Sequence, residues 1–131
     1  MNKGFVIGQS NELIKDGTVY DLHNNYDLEC VIYLPKTREL KIQFKPIPEF
    51  TNNGSLVSLI FNKTDYLEFS PKFGSQDISG LDEMGYKRPD DQDDEWLMEE
   101  KHSSPSDHMF ISLDGSDYIR VHSQYADVIE A

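Results

Sequence analysis

The sequence predicts a mainly β, antiparallel fold, a sandwich or strongly curved sheet of about six to eight strands with one or two short helices. Three observations carry that expectation. Apolar residues stand at every second position through Leu28, Cys30, Ile32 and Leu34 and again through Leu40, Ile42 and Phe44. The run LVSLIF at 56–61 is apolar at both parities, as a strand covered on both faces would be. A second alternating pair flanks the Asp114-Gly115 turn signal in HMFISLDGSDYIRVHS. At 131 residues the chain fits one β-rich domain, 1–131, long enough to bury a core without disulfides or metals.

Taken in order, Phe5-Val6-Ile7 can start a first strand, and Asp16-Gly17-Thr18 is a turn signal into Val19-Tyr20-Asp21-Leu22. His23-Asn24-Asn25 reads as a turn into the Tyr26–Lys45 hairpin, which is expected at the centre of the sheet. Its alternation implies a register with Leu34 facing Leu40, Ile32 facing Ile42 and Cys30 facing Phe44. Glu29 then pairs with Lys45 and Tyr33 with Lys41 on the outer face. The single Cys30 falls on the apolar face, where an inert buried thiol is expected. Pro46-Ile47-Pro48 ends the second arm, because proline cannot donate to a ladder. Asn52-Asn53-Gly54-Ser55 makes a loop, and Asn62–Asp65 is either a turn or a bulged continuation between LVSLIF and Tyr66–Phe69.

From Gly74 to Asp107 the pattern changes to eleven acids against three bases, with Gly, Pro and Ser and no sustained alternation. This reads as a long acidic excursion from the β core, 74–107, of the kind that is functional or mobile. Inside it, Asp93 to Lys101 has acids in a first turn and a base near its end, which predicts a short helix. In the second hairpin, pairing Leu113 with Asp117 around a three-residue loop places Met109, Ile111, Leu113, Ile119 and Val121 on one face. A two-residue turn would set Arg120 among them. The tail 124–131 is expected to dock as an edge strand or a helical turn.

The formal charge is −12 and unevenly placed: residues 1–66 carry eight acids and seven bases, residues 67–131 sixteen and five. A field of that sign repels nucleic acid and anionic membrane and attracts basic partners or cations. No stretch approaches membrane-spanning length and the start lacks a signal-type apolar region, so a cytoplasmic location is expected. Phosphate loops, G-x-S-x-G, H-E-x-x-H and Cys pairs are missing, which leaves no support for nucleotide, hydrolase or zinc chemistry and implies no cofactor. The run Asp90-Asp91-Gln92-Asp93-Asp94-Glu95 does not fit an EF-hand, because with Asp91 as the first position Trp96 stands at the sixth, where the loop needs Gly, and His102 at the twelfth, where it needs Glu.

The lone Trp96 sits among carboxylates, where it either packs the excursion onto the sheet, the commoner role, or stands out as an interface anchor. The leading expectation is a non-enzymatic binding protein that docks a basic protein partner through Asp90, Asp91, Asp93, Asp94, Glu95, Trp96 and Glu99. Two alternatives come from other classes. One is a small-molecule or metal site near His102, His108 and His122, of which His108 and His122 share a face in the hairpin register. The other is a structural module that oligomerises through a sheet edge.

The stretch LIFNKTDYLEFSP, with the DHMFISLDGSDYIRVHS hairpin in a small acidic β-rich chain, resembles small bacterial proteins that include the immunity proteins of polymorphic toxin systems. The resemblance implies binding to, and blocking of, a cognate toxin, with acidic members facing basic nuclease toxins. It has no diagnostic motif and assigns no role to any numbered residue.

Overall fold

The computed structural model describes residues 1–50, 54–92 and 96–130. Their strands are β1 (Asn2–Lys3), β2 (Val6–Ile7), β3 (Leu13–Lys15), β4 (Thr18–Tyr20), β5 (Tyr26–Leu34), β6 (Glu39–Pro46), β7 (Val57–Phe69), β8 (Leu81–Lys87), β9 (His108–Leu113) and β10 (Tyr118–Glu130). One helical turn, α1 (Leu22–Asn25), replaces the turn expected at His23-Asn24-Asn25, and the Asp21 carboxylate caps it by accepting from the Asn24 amide at 3.1 Å. The seven-stranded sheet has the order β5-β6-β7-β10-β9-β8, with β1 beside β10, and it curls into a half-barrel. The meander β2-β3-β4 forms a second, three-stranded sheet, whose last connection is the two-residue Asp16-Gly17 turn with both φ positive.

The centre of the large sheet is not the β5–β6 hairpin. Residues 56–61 open β7, and the tail expected at an edge is the second half of β10; these two 13-residue strands pair along their length in the middle of the sheet. Asn62–Asp65 is a bulged continuation, with the register shifting by one opposite His122 and Ser123. Leu59, Phe61, Ile119 and Val121 are wholly shielded, and each such side chain contributes roughly 1.5–3 kcal/mol by leaving water. A single apolar cluster extends from these strands to Phe5, Ile7, Leu13 and Tyr20, so the small sheet is packed onto the curled one.

The expected register of the first hairpin is overturned. Leu28 pairs with Phe44, but from Cys30 onward the register has moved by one, so Val31 faces Ile42 and Tyr33 faces Leu40. Glu29 is the extra residue of a bulge, and one extra residue turns every later side chain to the other face. Cys30 is therefore only half-buried and off the core face, while Ile32 and Leu34 stand 42% and 47% exposed. The second hairpin keeps its expected form: Leu113 donates to the Asp117 carbonyl, Ile111 faces Ile119 and Met109 faces Val121, all buried.

The stretch read as an excursion contains the edge strand β8. Asp82 is bulged, so the inward residues fall at Leu81, Met84 and Tyr86 and no simple alternation is visible. The expected helix at 93–101 is also corrected. Met98 makes an antiparallel bridge with Tyr86, and only Glu100–His102 forms a single 3-10 turn. Asp93, Asp94 and Glu95, with the Asn52-Asn53 part of the expected loop, lie outside the described residues. No helix among the described residues is long and apolar enough to cross a membrane.

Candidate functional site

The candidate site is built on the outer edge of β8. Gly85 lets a second segment approach this edge, because a Cβ there would stand 2.6 Å from the Leu97 Cβ and 2.9 Å from the Met98 carbonyl oxygen. Met98 exchanges both backbone hydrogen bonds with Tyr86, at 2.9 and 3.0 Å. Two residues later the Glu100 carboxylate turns inward. It accepts from Lys3 Nζ at 2.5 Å, from the Ile7 amide at 2.9 Å and from the Tyr86 hydroxyl at 2.5 Å, while Lys3 also donates to Tyr86.

These partners set the local titration. Burial works to raise the Glu100 pKa, but the donors Lys3, Tyr86 and Ile7 outweigh it and hold the carboxyl below its ordinary value. Burial, and then the bond to Glu100, hold the Tyr86 phenol above its own. The segment 97–103 is thus fastened to β8 by its backbone and to β1 and β2 by one carboxylate.

What this fastening displays is Trp96, at 76% exposed the most open large apolar side chain among the described residues. The packing role is therefore not the one the ring takes. Leu97 and Met98 lie between two grooves. The first, about 460 Å³, runs between this segment and Val6, Ile7 and Asn11 of the small sheet; the second, about 770 Å³, runs along Trp96, Arg88 and His102. Glu83 and Glu99 line both. Lys101 also lines both, so the result is an apolar strip with a mixed rim of carboxylates and bases and an exposed indole at one end.

The acidic loop after β8 is held from the other face of the sheet. Arg120 projects outward from β10 and its guanidinium donates to the carbonyls of Asp91 at 2.6 Å, Arg88 at 2.9 Å and Pro89 at 3.4 Å. Its Nε donates to His108 Nδ1 at 2.9 Å, so His108 must be the tautomer with a bare Nδ1. His108 is buried, stacked at 4.2 Å on Tyr66 and 5.9 Å from the His122 ring. Burial, then Arg120 and His122, push its pKa down to about 4. Arg88 pairs with the buried Asp107 at 3.0 Å.

Of the expected contacts, Asp90 is exposed on this pinned loop, Asp91 is half-buried with its carboxylate 3.8 Å from the buried Lys87 Nζ, and Glu99 is exposed, 3.5 Å from Lys101. The histidine alternative gains a pair but not a site. His108 and His122 are neighbours, yet His122 Nδ1 meets Asp65 at 2.6 Å and its Nε2 meets the Pro105 carbonyl at 3.0 Å, while His102 lines the second groove. Among the described residues no three His, Cys, Asp or Glu side chains gather as metal ligands would.

The sequence reading missed Glu83, Leu97 and Met98 as parts of the strip, and Arg120 as the residue that pins the loop. A readable signal for the first group was Gly85, the one residue inside β8 that admits a close neighbour. For Arg120 it was a lone base on the outer face of a strand in the acidic half of the chain. Compared with family models, curated proteins and solved structures, the chain finds no match.

Proposed function

We propose that the chain is a non-enzymatic binding protein that captures a basic protein partner, a toxin of the kind faced by the immunity proteins its sequence resembles, through the surface formed by residues 82–100. The observation that carries this reading is the exposed Trp96 on a segment fastened at Met98 and Glu100. A ring carried on a fastened segment costs less chain ordering on binding, and burying it in a partner supplies affinity where it is most concentrated, in a central aromatic contact. Glu83 and Glu99 border the groove beside it, together with Arg88 and Lys101, and Asp90 is exposed on the loop after β8, in the half of the chain that holds sixteen acids and five bases. Such a rim steers a cationic surface into place and contributes more to the association rate than to the lifetime of the complex. Blocking would follow from occlusion of the partner's own site.

The two contributions separate by mutation. Trp96→Ala weakens binding about 30-fold or more, through faster dissociation, with no loss of thermal stability. Asp90→Lys with Glu99→Lys slows association and flattens its salt dependence. The check is capture of basic proteins at low and high salt, followed by binding kinetics for each variant with the captured protein. Retention that survives both changes would overturn the reading.

A further inference from the structure

The opposite edge of the sheet carries a second surface, independent of the Trp96 strip. β5 is the terminal strand, and among the described residues its free side is met by backbone only at its start, where the Leu28 amide donates to the Ser79 carbonyl at 2.9 Å. From Cys30 to Leu34 its backbone bonds only to β6 among the described residues. Those five residues, Cys-Val-Ile-Tyr-Leu, contain no charge and no proline. The Glu29 bulge turns Ile32 and Leu34 outward, where they stand 42% and 47% exposed. An open apolar edge of this length is what proteins ordinarily blunt with lysine or proline, because its unpaired N–H and C=O groups template another strand.

The charges flanking this edge say which strand it takes. Asp27 and Glu29 lie at its beginning and Lys36 and Arg38 just past its end, all exposed. Two copies of β5 laid antiparallel bring the acids of each against the bases of the other, twice over a two-fold axis, whereas a parallel pairing opposes like charges. Residues 26–46 hold three acids and four bases, so this edge is the part of a −12 chain that a second copy approaches with least repulsion.

We infer that β5 pairs antiparallel with β5 of a second copy, joining two curled sheets into one and leaving both Trp96 strips free.

The test is molecular mass by sedimentation equilibrium from about 1 to 500 μM, the range in which a small edge contact is populated. The wild-type chain should pass from 15.1 kDa to twice that mass. Ile32→Lys with Leu34→Lys should stay monomeric with an unchanged melting temperature, both positions being exposed. Lys36→Glu with Arg38→Glu should weaken association at least tenfold, and adding Asp27→Lys with Glu29→Lys should restore it. Trp96→Ala should leave the mass curve unchanged. A wild-type chain that is monomeric throughout, a dimer that persists in Ile32→Lys/Leu34→Lys, or a charge reversal that the second reversal fails to rescue would each overturn the assignment.

Discussion

The two edges of the curled sheet are finished in opposite ways. At β8 the backbone is met by Met98, the approach is permitted by Gly85, and the following turn is tied down by Glu100 through Lys3, Tyr86 and Ile7. At β5 the backbone past Leu28 meets only β6 among the described residues. The closed edge presents one large aromatic side chain on a stiff support; the open edge presents main chain and two aliphatic side chains. A side chain can be chosen for one partner, while an open ladder accepts any compatible strand. The contrast suits a selective surface at β8 and self-pairing at β5.

The largest effect is expected where the closed edge is tied. Glu100→Ala removes the common acceptor of Lys3 Nζ, the Tyr86 hydroxyl and the Ile7 amide, and leaves a mostly shielded ammonium without its carboxylate. Full burial of such a pair would put the loss near 3–5 kcal/mol; with both groups partly solvated, about 2–3 kcal/mol is expected. Chemical denaturation reads the stability. Faster amide exchange at Met98 reads the loosening of the edge, and it would bring the two edges closer in character.

The second prediction acts on the outer face, where Arg120 pins the acidic loop and leans on His108. The folded state holds His108 neutral down to about pH 4, whereas the unfolded chain takes up a proton near the ordinary value of 6.5. A depressed folded pKa means that stability is fully present above pH 6.5 and is lost as pH falls towards 4. The loss expected from this residue is roughly 2 kcal/mol, allowing for partial solvation. His108→Asn should flatten the stability profile between pH 7 and pH 4. A profile as steep as that of the wild type would remove His108 from this role and assign the acid sensitivity to the carboxylates.

How much of this was legible follows from where the bulges fall. In the second hairpin nothing interrupts the alternation between Met109 and Val121, and the register read from apolar parity is the one adopted. Glu29, Asp65 and Asp82 each add one residue to a strand, and each breaks the rule that same-parity residues share a face. No local pattern marks these residues as bulged, since their positions answer to the curvature of the whole sheet. The same limit hid the site. Acidity around Trp96 was readable, but the exposure of its ring depends on the pairing of Met98 with Tyr86, a contact between residues twelve apart with no strand-like repeat on one side.

The smallest effect is expected at the far end of β8. Lys87 Nζ is fully buried and has no hydrogen-bond partner among the described residues; its carboxylate neighbour there is Asp91 Oδ2 at 3.8 Å. It lies opposite His108, on the face of the sheet where Arg120 already holds the loop by three carbonyls. An ammonium taken from water without hydrogen bonds is costly, and an ion pair at that distance offsets little of the cost. Lys87→Met keeps the packed stem and removes the charge, so stability should be unchanged or higher by about 1 kcal/mol. Lys87→Ala, which also leaves a void, should be lower than Lys87→Met by about 1–2 kcal/mol. Denaturation midpoints of the two variants separate packing from charge at this position. A loss above about 2 kcal/mol in Lys87→Met would mean that the Lys87–Asp91 pair, and not Arg120 alone, holds the acidic loop against the sheet.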